Sequence, residues 1–397
     1  MKKILQYFGF LILTCLLPSC ATDQKIDESG SSTRENKDGF TTHHVWPLPD
    51  DNKIGDITPY VKSVRVVELS PSLAEKVGQT WYAHVLAEGD IILVDREALT
   101  ITRINFAGEP IWHVRGGQND YRSFQQIKFF TFDSHRQEIL IRDNKSIFKY
   151  DTRGEYVGKD HYTWFDWVQF IPLDNETMVF SAQGMENPHL YENGWQLLYT
   201  KDDSITSTFV SLLPYAPLHH LYGIGDEFTR LNGRVLYHAG LRNTYHWITN
   251  SAPQPAFTFD FDHPMSVEEI MKTPIEDKWP YFRENRIPTI ATLAADGNNF
   301  IVNYRINGDR YLGLSGPNTT QPDVNHRLLR YGDLVFEAPY DYRDGYAARE
   351  VSPEEVELLA SLPAGATEVS DEFISELRRV KQTASDRGKK YLYVIEF

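Results

Sequence analysis

The feature that most constrains this chain is that it repeats itself. Asp90–Asp95, Ile101–Asn105, Gly108 and Pro110–Val114 align with Glu138–Asp143, Ile147–Asp151, Gly154 and Glu155–Val157 at a spacing of 46 to 48 residues. Each copy holds short runs of Ile, Leu, Val and aromatic residues, the composition of strands. Asn105 and Asp151 each stand three residues before a glycine, the order that suits a type I turn. A β-sandwich has no reason to repeat at this length, whereas one four-stranded propeller blade has about this period. Fainter copies predict a third blade from Thr177–Phe180, Trp195–Thr200 and Thr206–Leu212, and a fourth from Val235–Tyr237, Thr244–Ile248 and Ala256–Phe261. A fifth begins at Thr289–Leu293, Phe300–Tyr304 and Arg310–Leu314, and the remainder leaves room for a sixth.

The expected fold is therefore all-β, a six-bladed propeller over residues 56–397 with short helices before a closing strand. Ser352-Pro353-Glu354-Glu355 is a capping box with proline at the first helical position, and Ser370 opens a second helix with Phe373, Leu377 and Val380 on one face. These helices, within 352–385, are expected on the rim of the ring; Ser266–Glu269 is a shorter capping box. The last strand, 390–396, is expected to share a blade with Ser63–Leu69, so that the ring has no free seam.

The N-terminus reads differently. Lys2 and Lys3 precede an apolar run from Ile4 to Leu17 and then Pro18-Ser19-Cys20, the layout of a cleaved signal over residues 1–19. The run is too short to span a membrane comfortably, which takes about 20 residues. Leu17–Cys20 resembles a bacterial lipobox, so Cys20 is the expected lipid attachment site and the membrane an expected partner through that lipid. Cys15 leaves with the signal, so neither a disulfide framework nor a cysteine metal site is expected. Residues 20–55, with almost no apolar residues until Val45 and Trp46, are read as a flexible tether. The absence of an acid at Ala21 favours an outer-membrane lipoprotein, facing either the periplasm or the surface. The formal charge of −15 argues against nucleic acid, whose phosphates call for basic patches.

With these residues in view, the chain resembles the six-bladed β-propeller lipoproteins of Bacteroidota, which are NHL-like. The match rests on the lipobox, on the repeated strands at Asp95 and Asp143, and on Arg115–Tyr121 as a worn Gly-x-Gly-Pro-Gly-Glu-Tyr turn. Phe257-Thr-Phe-Asp-Phe261 is similar to that family's outer-strand motif. The resemblance implies a fold and an envelope address; it implies no activity.

Candidate chemistry is sparse. Asp95 and Asp143 recur at equivalent positions, as turn-capping carboxylates do. Asp260 and Asp262 share a strand face and could serve a glycosidase, but on an outer strand that face is simply solvated. Among 13 histidines, His43-His44, His219-His220, His113, His238 and His246 show no metal-ligand spacing. Gly223–Gly225 lacks the helix of a dinucleotide fingerprint. Tyr162, Trp164, Phe165 and Trp167 are read mostly as core, with one or two exposed for a partner. No catalytic residue, cofactor or metal is assigned. The expected function is a non-enzymatic binding or assembly platform for a glycan, peptide or protein partner. The alternative is a carbohydrate-active or metal-dependent hydrolase or lyase acting at the channel mouth.

Overall fold

A computed structural model describes residues 42–74, 82–86, 88–163, 165–182, 195–201, 204–211, 226–238, 244–263, 280, 282–296, 299–316, 319, 321–339, 341–383 and 390–397. The signal, Cys20, Trp164, His219-His220, Gly223–Gly225 and Ser266–Glu269 lie outside the described residues.

Three strands, β1 (His43–Trp46), β2 (Ile54–Asp56) and β3 (Ser63–Glu68), precede the first blade. Blade I is β4 (Tyr82–Val85), β5 (Ile91–Asp95), β6 (Thr100–Ile104) and β7 (Pro110–Arg115). Blade II is β8 (Phe129–Asp133), β9 (Glu138–Asp143), β10 (Ser146–Asp151) and β11 (Tyr156–His161). Blade III is β12 (Gln169–Pro172), β13 (Thr177–Ser181), β14 (Trp195–Lys201) and β15 (Ser204–Ser211). Blade IV is β16 (Phe228–Leu231), β17 (Arg234–His238), β18 (Thr244–Ile248) and β19 (Pro253–Phe261), with β1 added parallel to β19. Blade V is β20 (Thr289–Asp296), β21 (Asn299–Ile306), β22 (Asp309–Ser315) and β23 (Val324–His326). A three-stranded sheet follows, from β24 (Leu328–Tyr331), β25 (Leu334–Glu337) and the parallel β2. Blade VI is β26 (Asp341–Arg343), β27 (Tyr346–Val351), β28 (Tyr391–Glu396) and β3.

Seven sheets thus stand where six blades were expected. Six apolar cores join successive blades in a cycle, from Leu86, Ile92 and Ile101 against Phe130 and Ile141 between I and II, round to Leu392 and Val394 against Ile91 and Leu93 between VI and I. The first strands of V and VI, β20 and β26, touch directly, so the three-stranded sheet stands outside the ring between them. Its Leu329 and Phe336 enter the core that blades V and VI share. Its other side is covered by α1 (Pro353–Ala360) and α2 (Asp371–Thr383), whose Leu359, Ile374 and Leu377 pack on Ile54, Leu328 and Val335. A helix-covered sheet has no exposed apolar face, which explains why both helices are needed here. The expected capping box is present, with Ser352 and Glu355 bonded reciprocally.

Ring closure follows the expected pairing. β28 lies between β27 and β3, with Leu392 opposite Val67 and Val394 opposite Arg65. The repeated turns are also as read. The Asn105 side chain accepts from Ala107 and Glu109 N, and Asp151 accepts from Arg153 and Glu155 N, each at 2.9–3.0 Å. Gly108 and Gly154 have φ of 77° and 80°. A Cβ on Gly108 would meet the Glu68 carbonyl oxygen at 1.8 Å, so this turn seats on the neighbouring blade only as glycine.

Two expectations need correction. The tether does not run to 55, because His43–Trp46 and Ile54–Asp56 are strands. The reason is Trp46, which is fully buried at 4.9 Å from the Phe259 ring and lies over Gly313, where a Cβ would come within 2.5 Å of the indole. Nor is Phe257–Phe261 the outermost strand of its blade, since β1 covers it with Val45 opposite Asp260. The Asp260 carboxylate accepts from Phe261 N at 2.8 Å and lies 3.2 Å from His263 Nε2, so its face is paired rather than simply solvated.

A buried ionic cluster fixes the helices. Glu337 accepts from Arg327 Nε and Nη2 at 2.8 and 2.7 Å and pairs with Arg349 at 2.5 Å and Lys381 at 3.0 Å. Arg349 in turn holds Glu355 of α1 at 2.7 Å. Burial pushes the Glu337 pKa up, but Arg349, Lys381 and Arg327 outweigh it and hold it far below the usual carboxylate range. The folded state therefore keeps Glu337 ionised at a pH where the unfolded chain takes up a proton. Its contribution is complete above about pH 4.3 and is lost as pH falls toward the depressed folded value.

Two predictions follow from this packing. Trp46→Ala lowers unfolding stability by about 3–5 kcal/mol in chemical denaturation, the range for a buried Trp; a change near zero restores the tether reading. Glu337→Gln costs about 3–5 kcal/mol at neutral pH by stranding buried cations. The difference from wild type shrinks in acid melts below about pH 4.3.

Candidate functional site

A cavity of about 1020 Å³ opens at the axis of the ring. Its lining includes the ends of several first strands and the turns that follow them, so residues remote in sequence meet there. β4 supplies His84, β8 supplies Phe132, β16 supplies Arg230, and the turn between β26 and β27 supplies Asp344. Asp344-Gly345, with φ of 46° and 92°, is a two-residue type I′ hairpin turn, for which Asp-Gly is a preferred pair. Asn232-Gly233 makes the corresponding turn after β16.

Arg230 is rigidly placed. Its Nη2 donates to the Pro172 carbonyl at 2.7 Å and its Nη1 to Ser134 Oγ at 3.2 Å. Its Nε faces Asp344 Oδ1 at 3.9 Å. His84 Nδ1 faces the other Asp344 oxygen at 3.8 Å, and the imidazole lies 4.7 Å from the Phe132 ring at a 35° tilt. Next to Asp344, Arg343 pairs with Asp226 and donates to the Phe130 carbonyl at 3.4 Å. Burial, then the positive charges of Arg343 and Arg230, push the His84 pKa down to about 3. Burial raises the Asp344 pKa, against the opposing pull of Arg230 and Arg343. On the rim, Asn232 donates to Asp296 at 2.9 Å, and Lys62 stands 3.8 Å from Glu396. At the other end of the first strands, Gln169 accepts from Glu227 N at 2.8 Å, and Ser181 donates to the Glu227 carboxylate.

The residues singled out from sequence lie elsewhere. Asp95 accepts from Glu97 and Ala98 N, which is turn capping, whereas Asp143 accepts from Gln125 N, 18 residues away, and so holds a distant loop amide instead of its own turn. Tyr162, Phe165 and Trp167 are buried between blades II and III. His44 is buried against Phe257 and Phe300, and burial lowers its pKa to about 4. His113 bonds Thr102, and His238 stacks on Tyr245. Among the described residues, no group of three or more His, Cys, Asp or Glu is arranged to hold a metal ion. Sequence reasoning missed His84, Arg230 and Asp344. The Asp344-Gly345 turn signal was there to read, but the convergence of three blades was not.

The sequence model of the 6-bladed β-propeller family matches residues 122–314. No curated protein matches the chain. Among solved structures, a protein of Bacteroides fragilis described as exported is 12% identical over 89% of this chain and 99% of its own, with a TM-score of 0.61. A DUF4221 family member from Bacteroides vulgatus is 8% identical over 87% and 98%, at 0.46, and the virginiamycin B lyase of Staphylococcus aureus is 14% identical over 65% and 72%, at 0.36. The family match and the Bacteroides fragilis structure together show that this chain is a β-propeller.

The ionisation of the site is open to measurement. Histidine in the unfolded chain titrates near 6.5, so protons bind the unfolded state first, and stability falls as pH drops from about 6.5 toward 3. NMR of ring-labelled histidine should show His84 still neutral at pH 4.5. Protonation of His84 between pH 6 and 7 is inconsistent with this burial.

Proposed function

We propose that this chain is an exported lipoprotein whose propeller is a binding platform, with the ligand seat in the axial cavity. The cavity itself carries the reading. About 1020 Å³ of concave space is at the upper end for small-molecule sites, and it is shaped by strand ends and tight turns rather than by long loops. Apolar walls at Phe132, Leu173 and Ile301 alternate with a few oriented polar groups, as ligand sites require. The signal, the lipobox ending at Cys20 and the exported Bacteroides fragilis neighbour support an envelope address, with Ala21 favouring the outer membrane.

A second reading, chemistry at this same mouth, is favoured by one observation. A neutral imidazole, His84, stands 3.8 Å from the carboxylate of Asp344. Turnover of a glycan or ester panel, lost in His84→Gln, would select it.

Binding is tested by applying the detergent-solubilised protein to glycan and peptide arrays and by affinity capture from solubilised envelopes. Flat arrays with no captured partner overturn the platform reading. Anchoring is tested separately. Cys20→Ser should abolish incorporation of labelled palmitate and move the protein from the membrane to the soluble fraction, since one or more acyl chains are what hold it. Unchanged membrane association in that variant removes the lipid anchor.

A further inference from the structure

We propose that the axial cavity takes a neutral saccharide, held through adjacent hydroxyls between Asp344, Arg230 and His84. This rests on the binding-platform reading and names the ligand class for it.

One buried group without a partner, His84, stands beside a carboxylate, Asp344, whose side chain is 33% exposed. Among the described residues nothing donates a hydrogen bond to the Asp344 carboxylate, and the His84 ring makes no hydrogen bond either. His84 is nonetheless only 5% exposed. Buried polar groups in folded proteins are almost always satisfied, by protein or by an ordered molecule. Asp344 faces its neighbours at 3.8 and 3.9 Å, beyond direct hydrogen bonding. One oxygen atom placed among the three groups could bond to all of them. Asp344 only accepts, Arg230 only donates, and neutral His84 does one of each. Their counterpart must therefore both donate and accept at neighbouring atoms, which is what a pair of ring hydroxyls does.

Charge selects the same class. Burial, then the positive charges of Arg343 and Arg230, keep His84 unprotonated, and the same two guanidinium groups disfavour an ammonium ligand beside it. Asp344, Asp296 and Glu396 outnumber Arg230 and Lys62 in the cavity lining, which opposes a carboxylate or phosphate. A ligand without net charge meets neither penalty. Tyr60, Tyr346 and Phe132 also line the cavity, and aromatic faces suit the C–H side of a sugar ring.

The experiment uses the full chain in detergent and calorimetric titration with maltose, cellobiose, mannobiose and galactobiose as neutral probes. Digalacturonate is the anionic control, and diglucosamine and a lysine-rich peptide are the cationic ones. Asp344→Asn is the main variant, because Asn tolerates the positive φ of this turn. His84→Gln is the second, with thermal melts to verify folding of each. The expected result is that at least one neutral disaccharide binds and each variant weakens it about ten- to a hundredfold, as for loss of a hydrogen bond to a charged or buried group. Neutral binding that neither folded variant changes overturns the proposal. Binding of only the charged probes, weakened by Asp344→Asn, overturns the saccharide class and leaves the platform intact. No binding by any probe, together with flat arrays and no captured partner, overturns both.

Discussion

Everything in this molecule depends on the insertion of one strand, β28, between β27 and β3. A propeller ring is held only by neighbour-to-neighbour packing, so an open seam would expose two blade faces at once. The closing contact joins residues 333 positions apart, as the Ser63–Glu396 hydrogen bond shows. Loop closure over that length costs about 5 kcal/mol beyond a constant, because the cost grows only with the logarithm of length. Val67, Leu69, Leu392 and Val394, buried against Val85, Ile91 and Leu93, are each worth about 1.5–3 kcal/mol. Two or three of them offset the entropy, so the seam is stable once formed. Such non-local pairing also makes the last step of assembly slow.

The segment between β27 and β28 is where the chain departs from plain blade repetition. It leaves blade VI, builds two helices over the outer three-stranded sheet, and returns as the closing strand. Nothing in a stack of β-blades offers a natural seat for helices. Glu337, at the end of β25, makes one by gathering Arg327, Arg349 and Lys381 around a single carboxylate. A buried ion cluster is weak evidence of net stability, since apolar residues of the same volume do as well. Its directionality is another matter. Apolar packing of Leu359 and Leu377 tolerates sliding, whereas the ion pairs of Lys381 with Glu337 and of Glu355 with Arg349 do not.

The parts of this fold that were legible in the sequence are those fixed by local chemistry. The Asn105–Gly108 and Asp151–Gly154 turns, the Ser352 capping box and the Ile-, Leu- and Val-rich middle strands next to those turns need only a few adjacent residues. The first strands of blades I to IV escaped notice. Phe129–Asp133 and Gln169–Pro172 are short and wholly buried, so they show no alternation. His43–Trp46 was hidden in a polar stretch because its partner, β19, lies more than 200 residues away. The three-stranded sheet was invisible for the same reason, since β2 joins β24 across most of the chain. The cavity residues combine both difficulties. His84, Arg230 and Asp344 sit on or beside the first strands of blades I, IV and VI, and each is an ordinary residue until the ring closes.

That dependence on closure shapes what the cavity is. Asp344 belongs to blade VI, which is completed by the first and last strands of the propeller, whereas Arg230 and Ser134 belong to blades IV and II. The guanidinium is tied to the Pro172 carbonyl of blade III and to Ser134, so four blades set the geometry around one carboxylate. A site assembled in this way costs little ordering when a ligand enters, because the rotamers are already fixed by folding. The same rigidity holds the carboxylate in place, since Asp344 lies in a two-residue turn with both φ values positive. Closure of the ring and the geometry at its axis are therefore one structural event seen at the seam and at the centre.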